Sequence, residues 1–249
     1  MSNYVLLDPV KHQDIKIKPH SNFGFSKNQH HASLVVHEFG AAASSFPVVY
    51  MKEPTQGQFR AVGLLGLVAC HNVFFTEQEW LAVHVPSAFL RAPFELGPDP
   101  EKDKTLTIYI NEQSDYVNNS QGEALFQNGE PSQFLHQVQD KMSEYYQREQ
   151  FSHEFTQKLL SLSLLKEIEL VINFSDGKKT RVKGVYTIDE EVLRKLPDTD
   201  IVELNKQNYL LPIHAMLSSL VQVNRLIKQH NYCSENTILG VQMRANAGE

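Results

Sequence analysis

The apolar residues of this chain change their spacing at Ser132, and that change limits the fold more than any other feature of the sequence. Before it, they fall in short runs closed by turn residues: Phe46–Met51, Phe59–Val68, Asn72–Phe75, Leu81–Val85 and Thr105–Asn111. The last run alternates, with Leu106, Ile108 and Ile110 on one side and Thr105, Thr107 and Tyr109 on the other, the period of a half-buried strand. After Ser132, residues Phe134, Leu135, Val138, Met142 and Tyr145 recur at helical steps. Phe151, Phe155 and Leu159 continue four apart on a shifted phase, which predicts one long kinked helix or two helices. Leu165–Phe174 and Thr180–Ile188 flank a turn-rich Ser-Asp-Gly-Lys-Lys and read as an antiparallel hairpin. Asp189 then caps a helix that Pro197 ends, and Asp198 caps the next. Ile213, Met216, Leu217, Leu220, Val223 and Ile227 form the stripe of a last helix, which docks on a sheet or on the long helix.

The fold class is therefore α+β: a β-rich N-terminal half, a long central helix, and a C-terminal β-hairpin followed by helices. We expect a single domain over residues 1–249, with a β-rich subregion at 1–117 and a helical one with the hairpin at 132–243. The polar, glycine-containing stretch 118–131 separates them, and Arg244–Glu249 reads as a disordered tail.

Composition excludes more than it assigns. A chain of 249 residues, 41% of them hydrophobic, buries about 70–75% of its unfolded surface and needs no disulfide or structural metal to be stable. The formal charge of −6 argues against a broad nucleic-acid or anionic-lipid footprint. Lys178, Lys179, Arg181 and Lys183 cluster near the hairpin turn, but without interleaved stacking aromatics they read as a solvated strand face. The longest apolar run, Ala61–Cys70, is half the roughly 20 residues a membrane helix requires. Its two glycines, Gly63 and Gly66, signal close backbone packing in a strand. Two isolated cysteines and no secretory signal point to a cytoplasmic, soluble protein that does not insert in a membrane.

Nucleophile elbows, phosphate loops and HExxH are absent from the sequence. Among the 11 histidines, His12-Gln13-Asp14 with a distant His214 or His84 could supply the two-histidine, one-carboxylate face of a non-haem iron site. His30, His31 and His37 make a second cluster; its plainer reading is a polar loop. The most informative segment is Val85–Phe94, Val-Pro-Ser-Ala-Phe-Leu-Arg-Ala-Pro-Phe, preceded by Trp80, the only tryptophan. Two prolines stiffen it, and Phe89, Leu90 and Phe94 surround the guanidinium of Arg91, which suits bidentate capture of a carboxylate or phosphate. Arg60 and Tyr50, at the ends of neighbouring strands, are secondary members of this ligand site. The alternative is that the aromatics fill core while Arg91 satisfies carbonyls or pairs with an acid.

Further stretches fall in a specific order: Leu7–Pro9 with His12, Phe-Gly-Phe-Ser at 23–26, Phe-Pro-Val-Val-Tyr at 46–50 and Phe-Arg-Ala-Val-Gly-Leu-Leu-Gly-Leu at 59–67. The Val85–Phe94 segment comes next, then Gly-Glu-Ala-Leu-Phe at 122–126, Gly-Glu-Pro-Ser at 129–132, Ile188–Glu190, and Ile-His-Ala-Met-Leu-Ser-Ser-Leu at 213–220 with Asn224–Leu226. Over nearly its whole length the chain resembles the bacterial SapC family, which is linked by name to surface layers. The resemblance brings no catalytic residues and no cofactor. It implies a soluble, non-catalytic accessory or binding protein whose partner is another protein, flavin-dependent and halogenase-like or cupin-like, or a cell-surface assembly. Two alternatives stand beside it: a metal-dependent oxygenase-like enzyme using His12, Asp14 and His214, and a structural subunit of a surface layer. The Ile213–Ile227 stripe can serve a homodimer as readily as a core.

Overall fold

A computed structural model of the chain describes residues 4–19, 22–53, 57–76 and 79–245. The chain opens with β1 (Tyr4–Leu6), β2 (Lys16–Ile17), β3 (His31–Ser33), α1 (Phe39–Ala42), β4 (Val48–Lys52) and β5 (Phe59–Leu64). Then follow β6 (Phe75–Thr76), β7 (Glu79–Trp80), α2 (Ser87–Leu90), β8 (Phe94–Pro98) and β9 (Leu106–Asn111). Four two-residue strands, β10 (Val117–Asn118), β11 (Glu123–Ala124), β12 (Phe126–Gln127) and β13 (Glu130–Pro131), lead into α3 (Gln133–Ser161). The remainder is β14 (Leu165–Phe174), β15 (Lys179–Ile188), α4 (Glu190–Arg194), α5 (Asp198–Lys206), α6 (Leu210–Ser219), α7 (Val223–Cys233) and β16 (Ile238–Ala245). The class is α+β.

These elements form two compact units, each drawn from two stretches of chain: Met1–Asn22 with Ser87–Gln147, and Phe23–Pro86 with Arg148–Glu249. In the first unit β9 pairs antiparallel with β1 and β8, placing Tyr4 opposite Asn111 and Phe94 opposite Ile110. The alternation read in Thr105–Asn111 is the register of this sheet: Ile108 and Ile110 are buried, with Phe94, Leu125, Leu135 and Met142 in the same core. Ser132 starts α3 because its hydroxyl accepts the Leu135 amide at 3.1 Å, filling one of the donors a helix start leaves open.

The second unit is built on a six-stranded sheet in the order β16-β14-β15-β4-β5-β3. The predicted hairpin is its centre, with Leu165 opposite Ile188 and Asn173 opposite Lys179. Helix α6 packs on β4 and β15, burying Ile213 and Met216, and its Ser219 hydroxyl accepts the Val48 amide at 2.8 Å. Phe155 of α3 is fully buried between Phe39 and Tyr209. Gly63 lies in β5, where a Cβ would come within 2.6 Å of the Phe46 ring; Gly66 lies past the end of that strand, and its close neighbour is backbone, the His71 carbonyl oxygen at 1.9 Å from a Cβ.

The helical stretch after Ser132 is a single helix. Its phase shift between Tyr145 and Phe151 falls where the chain passes from the first unit to the second. Asn72–Phe75 forms a turn up to Phe74 and Leu81–Val85 a bent loop. The buried Asn72 side chain, which donates to the Ser26 carbonyl and accepts the Phe74 amide, takes the place of a strand ladder. Asp189 caps α4, accepting the Glu191 and Val192 amides. Pro197, with φ fixed at −58°, occupies the next cap position, so Asp198 lies in the first turn of α5. Asn208 takes the left-handed conformation at φ 59°. The last apolar stripe is broken by a 3₁₀ turn at Leu220–Gln222 into α6 and α7. By length and composition Leu210–Cys233 would pass for a membrane span, yet its most apolar window is 39% buried inside the protein. Arg244 and Ala245 belong to β16, where Ala245 lies opposite Ile168, rather than to a tail; residues 246–249 lie outside the described residues.

Candidate functional site

Arg91 follows the short α2 and precedes β8. Phe89 and Phe94 on either side of it are each 4% exposed, so both aromatics are core. Arg91 itself does neither of the things a purely structural arginine would do. It lies half-buried with its guanidinium carbon 4.8 Å from the centre of the Tyr145 ring, on the first half of α3. It makes no side-chain hydrogen bond and no ion pair among the described residues. The ring takes up the charge of the guanidinium through its face, and among the described residues no protein acceptor meets the guanidinium N–H groups.

Tyr4, on β1, completes the surroundings. Burial first, and then the charge of Glu95, push its phenol above the ordinary range, while Arg91 pulls it the other way, which puts all three groups within electrostatic reach. A guanidinium with unengaged N–H groups can donate to an anion, bidentately to a carboxylate. Glu95 sets a limit on that anion, because its negative charge penalises a dianionic phosphate more than a single carboxylate.

Next to Tyr145, Tyr146 lines a cleft of about 800 Å³ in the same unit, whose lining is mixed: Leu7, Leu96, Ile108 and Phe126 are apolar, while Lys104, Glu130 and Gln139 are polar or charged. The volume is that of a pocket for a drug-sized group or a few side chains. Successive helix residues point about 100° apart, so α3 carries the arginine stack on one face and the cleft wall on the adjoining one.

Trp80, Arg60 and Tyr50 belong to the second unit. Trp80 donates its indole N–H to the His84 carbonyl at 3.0 Å and sits edge-on to Phe23. Arg60 pairs with Glu53 at 2.6 Å. Tyr50 and Arg60 are on neighbouring strands, Tyr50 being opposite Ala61. The Tyr50 hydroxyl is buried against Thr156 Oγ1 at 2.9 Å, and burial pushes its phenol well up. Each of these side chains is engaged in holding its own surroundings.

Of the metal candidates, His12 is fully buried with both ring nitrogens in use. The Asp8 amide donates to Nδ1 at 2.8 Å, so Nε2 carries the proton and donates to Glu112 Oε1 at 2.9 Å. Asp14 and His214 are exposed. Among the described residues no group of three or more His, Cys, Asp or Glu stands together to hold a metal; His12 and Asp14 belong to the first unit and His214 to the second. His30 and His31 lie ring to ring at 4.7 Å, and His37 lies against Phe151.

Three features are not signalled by any local pattern: the pairing of Arg91 with Tyr145, the cleft, and a pair in the second unit between His84 Nε2 and the buried Glu38 at 2.9 Å. Glu38 also accepts the Val35 amide at 2.8 Å, so it pins its own turn and the loop carrying His84. All three join residues dozens of positions apart, and no local spacing announces them.

The fold is that of an α+β protein of two compact units. The family model for SapC matches residues 7–226, and the chain belongs to the SapC family. No curated protein and no solved structure matches it.

Proposed function

We propose that this SapC-family chain is a soluble, non-catalytic binding protein that grips a carboxylate on a protein partner at Arg91. The observation that carries the reading is the guanidinium over the Tyr145 ring, with no side-chain hydrogen bond or ion pair among the described residues. Glu95 favours a carboxylate over a phosphate, and the apolar part of the cleft lining offers a surface for the residue next to it. An acidic side chain flanked by an apolar one is the recognition element that fits. The family resemblance supplies the kind of partner, a flavin-dependent halogenase-like or cupin-like protein or a cell-surface assembly. Both cysteines are free and exposed, which accords with a reducing cytoplasm.

The test is an NMR titration of the intact chain with acetyl-Asp-Leu amide, reading the Arg91 Nε–H signal and the Tyr145 ring, with inorganic phosphate in parallel. We expect saturable shifts with the peptide, weaker ones with phosphate, and no saturable Tyr145 shift in Arg91→Ala at a nearly unchanged melting temperature. Saturable binding that survives Arg91→Ala overturns the reading, and so does a wild-type protein that shows none.

A further inference from the structure

The second unit holds a buried nitrogen with nothing to bind. His230, in the last turn of α7, is 4% exposed, and its Nε2 lies 3.1 Å from the carbonyl oxygen of Asn236. A carbonyl only accepts, so Nε2 carries the ring proton and Nδ1 carries a lone pair. That Nδ1 is buried and has no hydrogen-bond partner among the described residues. Buried polar atoms are nearly always satisfied, and an exception calls for a reason such as an ion.

Two aromatic rings lie against His230. Phe174 is 6.2 Å away, centre to centre, and His71 is 5.5 Å away at an interplanar angle of 68°. Only His71 offers a second nitrogen. Its loop is firmly held: its carbonyl packs on Gly66, where no side chain could stand, and the next residue, Asn72, is buried and tied to Ser26.

We propose that His71 and His230 bind a single transition-metal ion of borderline softness, Zn²⁺ or Cu²⁺, with water completing its shell. The spacing suits one ion. A ring nitrogen lies about 1.1 Å from its ring centre and a metal–nitrogen bond is about 2.0–2.1 Å, so two imidazoles sharing a tetrahedral ion have centres roughly 5 Å apart. The hydrogen bond from Nε2–H to the Asn236 carbonyl is the support that metal-binding histidines usually have, since it fixes the tautomer that leaves the other nitrogen free to ligate. With two protein ligands the site keeps open positions, so its affinity is modest and it can take a further ligand. Nothing in this assignment depends on the role of Arg91.

The test is isothermal titration of the chelator-treated full chain with ZnCl₂, with electron paramagnetic resonance of the Cu²⁺-loaded protein alongside. We expect one Zn²⁺ per chain, at least tenfold weaker binding in His71→Ala, and unchanged binding in the control His31→Ala. Cu²⁺ should show coupling to two nitrogens in the wild type and to one in His71→Ala. Equal Zn²⁺ affinity in wild type and a folded His71→Ala overturns the proposal. If that variant does not fold, the wild-type Cu²⁺ spectrum decides, and coupling to anything other than two imidazole nitrogens overturns it.

Discussion

Each unit contains an arginine stacked on an aromatic ring, and the two arginines are used differently. In the second unit Arg225 lies over Phe74 at 5.4 Å and also donates to the Ser44 carbonyl at 3.4 Å, so its charge is spent on fastening α7 to a turn. In the first unit Arg91 has the closer stack, 4.8 Å over Tyr145, and no acceptor. The same cation–π geometry serves as a latch in one place and as a presented donor in the other. The lesson is that stacking alone does not reveal an arginine's role; the fate of its N–H groups does.

This contrast can be broken or sharpened in three ways. The largest effect tests whether the second unit's groups are consumed in holding it together. Phe155→Ala, at a fully buried ring between Phe39 and Tyr209, should cost about 3–5 kcal/mol in denaturant unfolding. A loss below about 1 kcal/mol would mean the aromatic core there is not what stabilises the unit. A smaller effect separates the arginines directly. Arg225→Ala should lower stability by about 1 kcal/mol while leaving peptide binding unchanged, whereas Arg91→Ala should remove binding at a stability change within about 0.5–1 kcal/mol. Titrations and melts of the two variants side by side check this, and a binding loss in Arg225→Ala would erase the distinction.

The smallest effect is in acid. Burial, then His30 and Arg60, hold His31 of the second unit below the usual imidazole range. Its contribution is therefore complete above roughly pH 6.5 and is lost as pH falls below that value. In the first unit the Lys11 and Val10 amides hold Asp8 below the usual carboxylate range. That contribution is present above about pH 4 and is lost as pH falls through the lowered value. Acidification should thus lower the amide protection factors of β3, each referred to the intrinsic rate at its pH, before those of Val10 and Lys11, and the reverse order would refute the assignment.

What the sequence made legible was local. The hairpin Leu165–Ile188, the Asp189 cap and the Ser132 change of period each depend on neighbours within a few residues, and each can be read from pattern and turn chemistry. β16 was not readable, because Ile238–Ala245 is a strand only by virtue of β14 beside it. The 3₁₀ turn at Leu220–Gln222 was hidden because three residues per turn hardly disturbs a stripe spaced at 3.6. The two units were obscured for a related reason: each interleaves two stretches, and composition shifts mark only consecutive segments. Of the candidate site, Arg91 stood out as a lone charge among aromatics, but Tyr145 is 54 positions further on, and nothing in either stretch refers to the other.

The strand order of the large sheet bears on how the chain comes off the ribosome. β3, β4 and β5 are synthesised early, yet β4 gains its second neighbour only when β15 appears, more than a hundred residues later. Until then Val48, Val49 and Tyr50, all buried in the finished protein, sit in a strand with one open edge. A nascent chain in that state is sticky, and its pairing is slow because the contacts it awaits are distant.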